Sequence, residues 1–395
     1  MRVLYHHRTL RDGAEGVHIE EIQSALRDLG HEVFEVSPVS SASPAVEPAK
    51  EEYSRRQQRI DQMKKLMPEI AVQAAHVAYN RVTRRDMLRA LQSRPVDLVY
   101  TRYACFSCGE VMAARSRQIP VIVEANLLYS GPWARQHRLY FPRTASRIER
   151  YVMQHAAGIV TVSGAIKDQL VENGVDAAKI IVSPNAINPS KIDDARKLTT
   201  REAVRQQFGV DDRVVIGFVG SFRSWHGIDV LLNSIPNVLS AVPDACFLLI
   251  GHGDQLDELR AKIKAEGWSD RVILTGGMPH EDALRAIWSM DVAVMPNSNA
   301  WGSPMKVIEY MGLGRATVAP RLGPLQEVID DGVDGVLTSP GSSEEFADAI
   351  IRLCRSPEAR ERLGRAAESR ILTRHTWRQN AEQIIELFNE RAQAS

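Results

Sequence analysis

Short apolar segments alternate with helical patterns along the chain, and this alternation restricts the fold more than any other feature of the sequence. In the first half the segments lie at 2–5, 31–37, 97–101, 120–124, 158–162 and 180–183. In the second half they lie at 213–220, 246–251, 271–275, 291–295, 315–319 and 335–337. Short apolar segments joined by helices are typical of parallel strands that are covered on both faces. We therefore predict an α/β fold with two successive doubly wound sheets.

A polar, charged stretch at 191–205 separates the two series of strands and is predicted to be a linker. The chain of 395 residues also exceeds the size that one hydrophobic core supports. The prediction is therefore two Rossmann-like domains, at 1–190 and 206–372. In open sheets of this kind ligands bind beyond the carboxyl ends of the strands, so two facing domains would form a site between them.

The charge balance and the apolar pattern exclude several classes of partner. Lysine plus arginine and aspartate plus glutamate number 49 each, so no field of the whole chain would attract nucleic acid. Nucleic acid is therefore not an expected partner. No apolar run approaches the ~20 residues that span a bilayer, and the first residues do not resemble a signal peptide. We expect a cytoplasmic protein.

Cys105 and Cys108 form a C-x-x-C pattern, which in other proteins can mark a metal or redox site. No second pair of this kind completes a zinc-binding set in this sequence. Together with Cys246 and Cys354, these residues are predicted to be reduced thiols with a structural role. No metal site and no cofactor is predicted.

The segment 49–93 is predicted to form one or two long helices with a basic side. The basic residues are Arg55, Arg56, Arg59, Lys64 and Lys65, and the apolar residues are Ile60, Met63, Met67 and Ile70. One interpretation is a helix that packs on its own domain with a solvated basic side. The other is a surface that contacts anionic lipid headgroups or a lipid-linked acceptor, with the protein peripheral at the inner face of the membrane.

Three glycine-rich turns follow strands of the second half, and the first of them indicates a phosphate site. In the turn 220–227 (GSFRSWHG), small residues let the backbone approach a ligand, and the next helix offers free N–H groups to an anion. Arg223 and His226 are the nearby donors that could reach a diphosphate. The alternative is an ordinary strand-to-helix turn. The turns 251–254 and 276–279 are weaker signals, because glycine ends many strands for steric reasons.

The segment 296–314 (PNSNAWGSPMKVIEYMGLG) is the most informative part of the second half. Ser303 is predicted to cap a helix that has Pro304 at its first position. Lys306 and Glu309 are three residues apart, so they share a helix face, close to the end where open N–H groups favour an anion. A buried carboxylate there could accept hydrogen bonds from ribose hydroxyls. The alternative is an ordinary helix with solvated Glu and Lys side chains.

The order of these segments resembles the retaining glycosyltransferases of family 4. The resemblance rests on GSFRSWHG, IGHG, LTGGMPHEDA and SPMKVIEYMGLGRATVAP, and in the first half on DGAEGVHIEEI and VTVSGAIKDQLVENGVDAAKIIVSPNAI. It covers nearly the whole chain and points to the SP(M/L)K-x-x-EYM subgroup. It implies the GT-B fold, two Rossmann-like domains facing across a cleft, with the donor in 206–372, the acceptor in 1–190, and the C-terminal helix 373–395 crossing back to the first domain.

The resemblance also assigns residues to the donor site. Glu309 matches the second acid of the family's Glu-x7-Glu motif, whereas the first falls at Trp301. The Arg and Lys that the family places in the first turn fall at Ser221 and His226, with Arg223 nearby as a substitute. The predicted donor-binding residues are Gly16, Ser221, His226, Gly277, Met278, Ser303, Pro304, Met305, Lys306 and Glu309.

In the first domain the family places a histidine after the strand at 120–124, and the matching position is Asn126. Glu124 or Asn126 is therefore expected to orient the transferred sugar. The predicted catalytic residues are Glu124, Asn126, Arg223 and Lys306. The loop 13–16 is expected to approach the donor phosphates or the acceptor. Of His6, His7 and His18, two are expected to be packing or loop residues and one could contact the acceptor.

The activity that the resemblance implies is sugar transfer with retention, from a UDP- or GDP-sugar to a saccharide or lipid-linked acceptor, in polysaccharide or glycoconjugate biosynthesis. Helix N-termini and cationic side chains would stabilise the leaving diphosphate without a metal. Two alternatives remain open. The changes at Trp301, Ser221 and Asn126 are compatible with a pseudo-enzyme that only binds a nucleotide sugar. A sugar-nucleotide epimerase or a phosphorylase is the other alternative.

Overall fold

The computed structural model describes residues 1–9, 13–37, 67–131 and 138–393. The chain divides into two compact units: unit 1 is Met1–Ser183 with Asn380–Ser395, and unit 2 is Pro184–Gln379. Each unit contains a six-stranded sheet, and the paired strands of both sheets are parallel. The predicted α/β class with two doubly wound, Rossmann-like sheets is confirmed.

Unit 1 is built on strands whose apolar residues are covered by helices. The strands are β1 (Arg2–His6), β2 (Glu32–Val36), β3 (Leu98–Arg102), β4 (Val121–Ala125), β5 (Gly158–Thr161) and β6 (Ile180–Val182), in the order β2-β1-β3-β4-β5-β6. The helices are α1 (Gly13–Asp28), α2 (Glu69–Ala78), α3 (Asn80–Ser93), α4 (Gly109–Arg115), α5 (Pro142–His155) and α6 (Gly164–Glu172). All five residues of β4 are buried, which explains the continuous apolar pattern around it.

Unit 2 repeats this arrangement with the strand order β12-β11-β10-β7-β8-β9. Its strands are β7 (Val214–Val219), β8 (Ala245–Ile250), β9 (Val272–Gly276), β10 (Val292–Val294), β11 (Ala316–Pro320) and β12 (Val336–Thr338). Its helices are α7 (Pro189–Lys197), α8 (Arg201–Phe208), α9 (Ile228–Ala241), α10 (Leu256–Ala265), α11 (His280–Ser289), α12 (Met305–Gly312), α13 (Gly323–Gln326), α14 (Ser343–Arg355) and α15 (Pro357–Arg374), with a last helix, α16 (Trp377–Gln393), that continues into unit 1.

The predicted linker at 191–205 belongs to unit 2, and most of it lies in α7 and α8. Ile192, Ala195 and Val204 are buried there, although most of the neighbouring side chains are charged. The few apolar positions of these two short helices are enough to anchor them, and the charged residues between them concealed this pattern in the sequence. The boundary between the units falls after Ser183.

The start of the first helix also differs from the prediction. The helix α1 begins at Gly13, so 13–16 is its first turn and not a loop. An acidic residue in the first turn, Glu15, suits the positive end of the helix. Of the segment 49–93, the described part forms α2 and α3, and residues 38–66, with the basic residues from Arg55 to Lys65, lie outside the described part. No helix in the described part is long and apolar enough to cross a membrane.

Asp291, the residue before β10, ties α8 to the sheet of unit 2. Its carboxylate accepts hydrogen bonds from Arg201 (2.8 Å), Arg205 (2.6 Å) and the backbone N–H of Val215 (2.9 Å). Burial alone would raise the pKa of Asp291, but these donors lower it below the ordinary value. This carboxylate therefore contributes stability above the ordinary carboxyl pKa, and the contribution is lost as the pH falls through its lowered pKa.

We expect Asp291→Asn to lower the free energy of unfolding by about 3 kcal/mol at pH 7, because two arginines lose their anionic partner in a mostly buried place. Urea unfolding followed by far-UV circular dichroism measures the loss. Asp257→Asn is the matched control, because that side chain is 96% exposed, and it should change stability by less than about 0.5 kcal/mol. Equal effects of the two substitutions would contradict this role of Asp291.

Candidate functional site

The strand order of unit 2 reverses between β7 and β10, and the candidate site lies at the carboxyl ends of these two strands. The chain proceeds from β7 to β8 and β9 on one side, and then returns to place β10 on the other side of β7. Open parallel sheets bind ligands in the crevice that such a reversal forms. The turn 220–227 follows β7, and the loop that leads into α12 follows β10.

Glycines follow β7 and β8, and they allow an unusually close approach between the two strand ends and between the end of β7 and the Lys306 side chain. A Cβ at Gly251 would lie 1.8 Å from the carbonyl oxygen of Gly220, and a Cβ at Gly220 would lie 2.3 Å from Nζ of Lys306. Both glycines also have positive φ angles, 146° and 149°, that residues with a side chain rarely adopt. The ammonium group of Lys306 therefore lies directly against the backbone that ends β7.

Lys306 and His226 form the basic centre of the site. Nζ of Lys306 lies 3.3 Å from Nε2 of His226 and 4.8 Å from the centre of the Phe218 ring. Nδ1 of His226 lies 2.6 Å from the carbonyl oxygen of Ser221. Because a carbonyl oxygen can only accept, the proton of the neutral imidazole is on Nδ1. Nε2 is then the acceptor for the ammonium group.

Shielding from water changes the pKa of both groups. Desolvation lowers the pKa of Lys306 to about 7, although the charge of Glu309 opposes this shift. Desolvation, with Lys306 and Arg223 as nearby cations, lowers the pKa of His226 to about 4. Two basic groups are thus held where their charged forms are disfavoured, and an anion bound between them would favour both charged forms.

Glu309 is buried on α12 and is paired with a histidine that sequence reasoning missed. Its Oε1 accepts a hydrogen bond from Nε2 of His280 at 2.7 Å. His280 is the first residue of α11, just beyond the turn that ends β9. The sequence shows a histidine that begins a helix after a glycine-rich strand end. The residues near it in the sequence do not indicate that its side chain contacts Glu309.

The start of α12 differs in detail from the prediction. Ser303 is not the helix cap: Pro304 holds that position and Met305 is the first helical residue. The hydroxyl oxygen of Ser303 accepts a hydrogen bond from the backbone N–H of Asn185 at 3.0 Å, so it anchors the preceding loop. Among the described residues no side chain caps this helix, so its first N–H groups suit an anionic ligand.

The remaining predicted residues of unit 2 line the same carboxyl edge. Arg223 is exposed and its guanidinium lies 4.9 Å from the ring centre of Trp225. Gly277 lies against His252, since a Cβ there would be 2.8 Å from Nδ1 of that histidine. Met278 is partly buried against the core of unit 2. Gly277 and Met278 therefore shape the turn after β9.

In unit 1 the predicted residues Glu124 and Asn126 belong to one hydrogen-bonded group. Glu124 is 1% exposed and accepts hydrogen bonds from His18 (3.0 Å), Tyr100 (2.8 Å), Arg102 (2.7 Å) and the side-chain amide of Asn126. Burial would raise its pKa, but His18 and Arg102 lower it well below the ordinary range. With four donors, Glu124 is an anionic anchor that positions His18 and Asn126.

The other predicted groups of unit 1 are buried near the same strand ends. Gly16 is buried in α1. His6 is paired with the Thr101 hydroxyl at 2.9 Å, and burial lowers its pKa well below the ordinary value, so it is neutral. His7 is paired with Glu35 at 3.1 Å. His6 and His7 thus both make polar contacts with neighbouring side chains of unit 1.

The cysteines are buried or half-buried thiols. All four cysteines are free, and burial raises the pKa of Cys105 to about 12 and that of Cys108 to about 11, so both are protonated thiols at neutral pH. Within the described ranges, no group of three or more His, Cys, Asp or Glu residues is arranged to hold a metal ion.

We expect Gly251→Ala to lower the urea midpoint of unfolding markedly, because the added Cβ would lie 1.8 Å from the backbone carbonyl oxygen of Gly220. Gly332→Ala is the matched control, since its φ of 77° is also positive but no atom lies within 4 Å of the added Cβ. It should cost only the backbone strain, about 1 kcal/mol. If Gly251→Ala were no worse than Gly332→Ala, the close approach at 220 and 251 would be contradicted.

Comparison with known proteins identifies relatives of both units. Residues 13–186 match the family profile described as glycosyl transferase 4-like domain, and residues 213–356 match glycosyl transferases group 1. An α-D-kanosaminyltransferase of Streptomyces kanamyceticus is 25% identical over 71% of this chain and 72% of its own. A 2-deoxystreptamine glucosyltransferase of the same organism is 27% identical over 62% of this chain and 64% of its own. The chain thus spans less than two thirds of the second relative, and part of each relative lies outside the match.

A solved structure of similar fold is that of the Anabaena protein HepE in complex with UDP-glucose. It is 19% identical, with a TM-score of 0.70, and the similarity covers 99% of this chain and 100% of that protein. This likeness supports the two-domain GT-B fold that the sequence predicts. The two family profiles together span most of the chain, and the relatives are named as glycosyltransferases. The chain therefore belongs to the group 1 glycosyltransferases of family 4.

Proposed function

We propose that this chain transfers a sugar from a UDP- or GDP-sugar to a saccharide or lipid-linked acceptor, with retention and without a metal ion. The observation that carries the proposal is the ammonium group of Lys306, which lies against Gly220 and His226 at the strand-order reversal of unit 2. It supplies positive charge where a parallel sheet binds ligands.

The diphosphate of the donor suits this basic centre. Lys306 and the start of α12 offer N–H groups at the end of β7 and beyond β10, and the imidazole of His226 lies beside the ammonium group. Arg223 on the same turn adds an exposed cation. Groups that stabilise negative charge on a leaving diphosphate accelerate its departure, because that charge develops in the transition state.

The ribose of the donor suits Glu309. This carboxylate is buried three residues beyond Lys306, and His280 fixes its orientation through a 2.7 Å hydrogen bond. A carboxylate held in this way accepts hydrogen bonds from vicinal hydroxyls, and charge-assisted bonds of this type are strong when water is excluded. Ser303, Pro304 and Met305 would place the phosphates at the start of the same helix.

The acceptor side of the proposal rests on unit 1. Asn126 is held by Glu124 at the carboxyl end of β4, and His18 is held by the same carboxylate. These two side chains are the polar groups that would contact the transferred sugar or the acceptor. A lipid-linked acceptor would place the protein at the inner face of the membrane, with the basic segment 49–93 as the peripheral contact.

The relatives support the donor class but not one donor. The two Streptomyces relatives are a kanosaminyltransferase and a glucosyltransferase, and the Anabaena structure contains UDP-glucose. The polar residues that we place in the site contact phosphate and ribose, which UDP- and GDP-sugars share. The proposal therefore includes both nucleotides.

The test begins with a thermal-shift screen of UDP-, GDP- and ADP-sugars, because a ligand that binds only the folded state raises the melting temperature. The donor that binds is then incubated with saccharide and lipid-linked acceptors in the presence of EDTA. Nuclear magnetic resonance of the product reports the anomeric configuration. Absence of stabilisation by every nucleotide sugar would contradict the donor site, and loss of turnover in EDTA would contradict metal independence.

A binding protein without transferase activity is the second candidate. Family positions that carry charge in relatives are Ser221, Trp301 and Asn126 here, and Asn126 offers no acidic or basic group. Stabilisation by a nucleotide sugar without donor hydrolysis or transfer, across the whole acceptor panel, would favour this candidate over the enzyme.

We expect Glu309→Ala to weaken donor binding or lower kcat/KM by more than about tenfold, which corresponds to the loss of one charge-assisted hydrogen bond. Glu281→Ala is the matched control, because Glu281 is an exposed glutamate at the start of α11, and it should leave both quantities unchanged. A Glu309→Ala variant with the wild-type melting temperature and the wild-type rate would remove Glu309 from the site.

A further inference from the structure

His226 occupies a place where a fixed cation would serve a diphosphate site, yet its surroundings keep it neutral. Its Nδ1 donates to the Ser221 carbonyl at 2.6 Å, so its orientation and tautomer are set by the backbone of its own turn. Its Nε2 lies 3.3 Å from Nζ of Lys306. The imidazole therefore accepts a hydrogen bond from the ammonium group when no anion is bound.

The charged groups around His226 and Lys306 explain why the protonation of both side chains is sensitive to a bound anion. Lys306 and Arg223 disfavour a proton on His226, and Glu309 is the carboxylate that favours the charge of Lys306. Glu309 in turn is bonded to His280. An anion bound at this place would outweigh the two cations and reverse the preference of Nε2.

We propose that binding of the nucleotide-sugar diphosphate is coupled to the uptake of a proton at Nε2 of His226, so that the site becomes doubly cationic only when it is occupied. This inference rests on the proposed donor function and adds the protonation of one residue to it. Lys306 turns its N–H group from Nε2 to a phosphate oxygen. Nε2 accepts a proton from the solvent and then donates it in a hydrogen bond to the diphosphate.

The pKa values of Lys306 and His226 determine the pH range in which proton uptake on binding can be measured. Near pH 6, Lys306, with a pKa of about 7, is mostly charged in the empty site, whereas His226, with a pKa of about 4, is mostly neutral. Lys306 can therefore take up little further proton at pH 6, whereas His226 can take up nearly a whole one. Both phosphates of a nucleotide sugar are esterified and strongly acidic, so the ligand itself does not titrate there.

The experiment is isothermal titration of the full chain with UDP-glucose and with GDP-mannose at pH 6, in two buffers of different ionisation enthalpy. The difference in apparent enthalpy gives the number of protons taken up. We expect about half a proton or more per bound donor, and an affinity that falls as the pH rises through this range. Binding with an uptake below about a tenth of a proton would overturn the inference while leaving the donor site intact.

Two variants assign the proton to the residue. His226→Gln should bind about tenfold more weakly with little uptake, and His226→Lys should restore affinity through a permanent charge, also with little uptake. His155→Gln, a histidine on α5 whose Nδ1 contacts a backbone carbonyl, is the control and should keep the wild-type uptake. Wild-type uptake in either His226 variant would overturn the inference. Failure of both nucleotide sugars to bind the wild type would contradict the donor site itself, and this inference with it.

Discussion

The reversal of strand order between β10 and β7 is the constraint on which the candidate site of unit 2 depends. It leaves a crevice at the carboxyl ends of two neighbouring strands. The glycine-rich turn that follows β7 and the start of α12, which follows β10, lie at the edge of this crevice. Lys306 reaches the end of β7 because Gly220 has no side chain in its path. The ammonium group of Lys306, the start of α12 and the carboxylate of Glu309 thus meet through topology rather than through adjacency in the sequence.

The two units position their polar groups in different ways. In unit 2 a lysine and a histidine are placed so that burial lowers the pKa of both side chains and disfavours their charged forms. In unit 1 the carboxylate of Glu124 is satisfied by four donors and is anionic at all ordinary pH values. A saturated carboxylate of this kind is suited to hold neighbouring side chains, whereas the pair of Lys306 and His226 is suited to respond to a ligand.

The strands could be predicted from the sequence within a residue or two, because fully buried parallel strands are continuous apolar runs with glycine or polar residues after them. The helices within 191–205 could not be predicted, since only three apolar residues among charged ones determine how they pack. The helix of 305–312 and the shared face of Lys306 and Glu309 follow from local spacing. Local spacing does not predict that Ser303 bonds to Asn185 or that Glu309 bonds to His280, because both contacts join residues far apart in the chain.

The shielded ammonium group of Lys306 also bears on how this protein responds to selection. A charge held away from water without a bound anion costs folding free energy, and an apolar side chain of similar length at this position would relieve that cost. Selection for heat resistance in the absence of donor would therefore favour loss of the lysine and, with it, loss of the site. Stabilised variants of this chain are best sought with the nucleotide sugar present, so that the native site is the stable one.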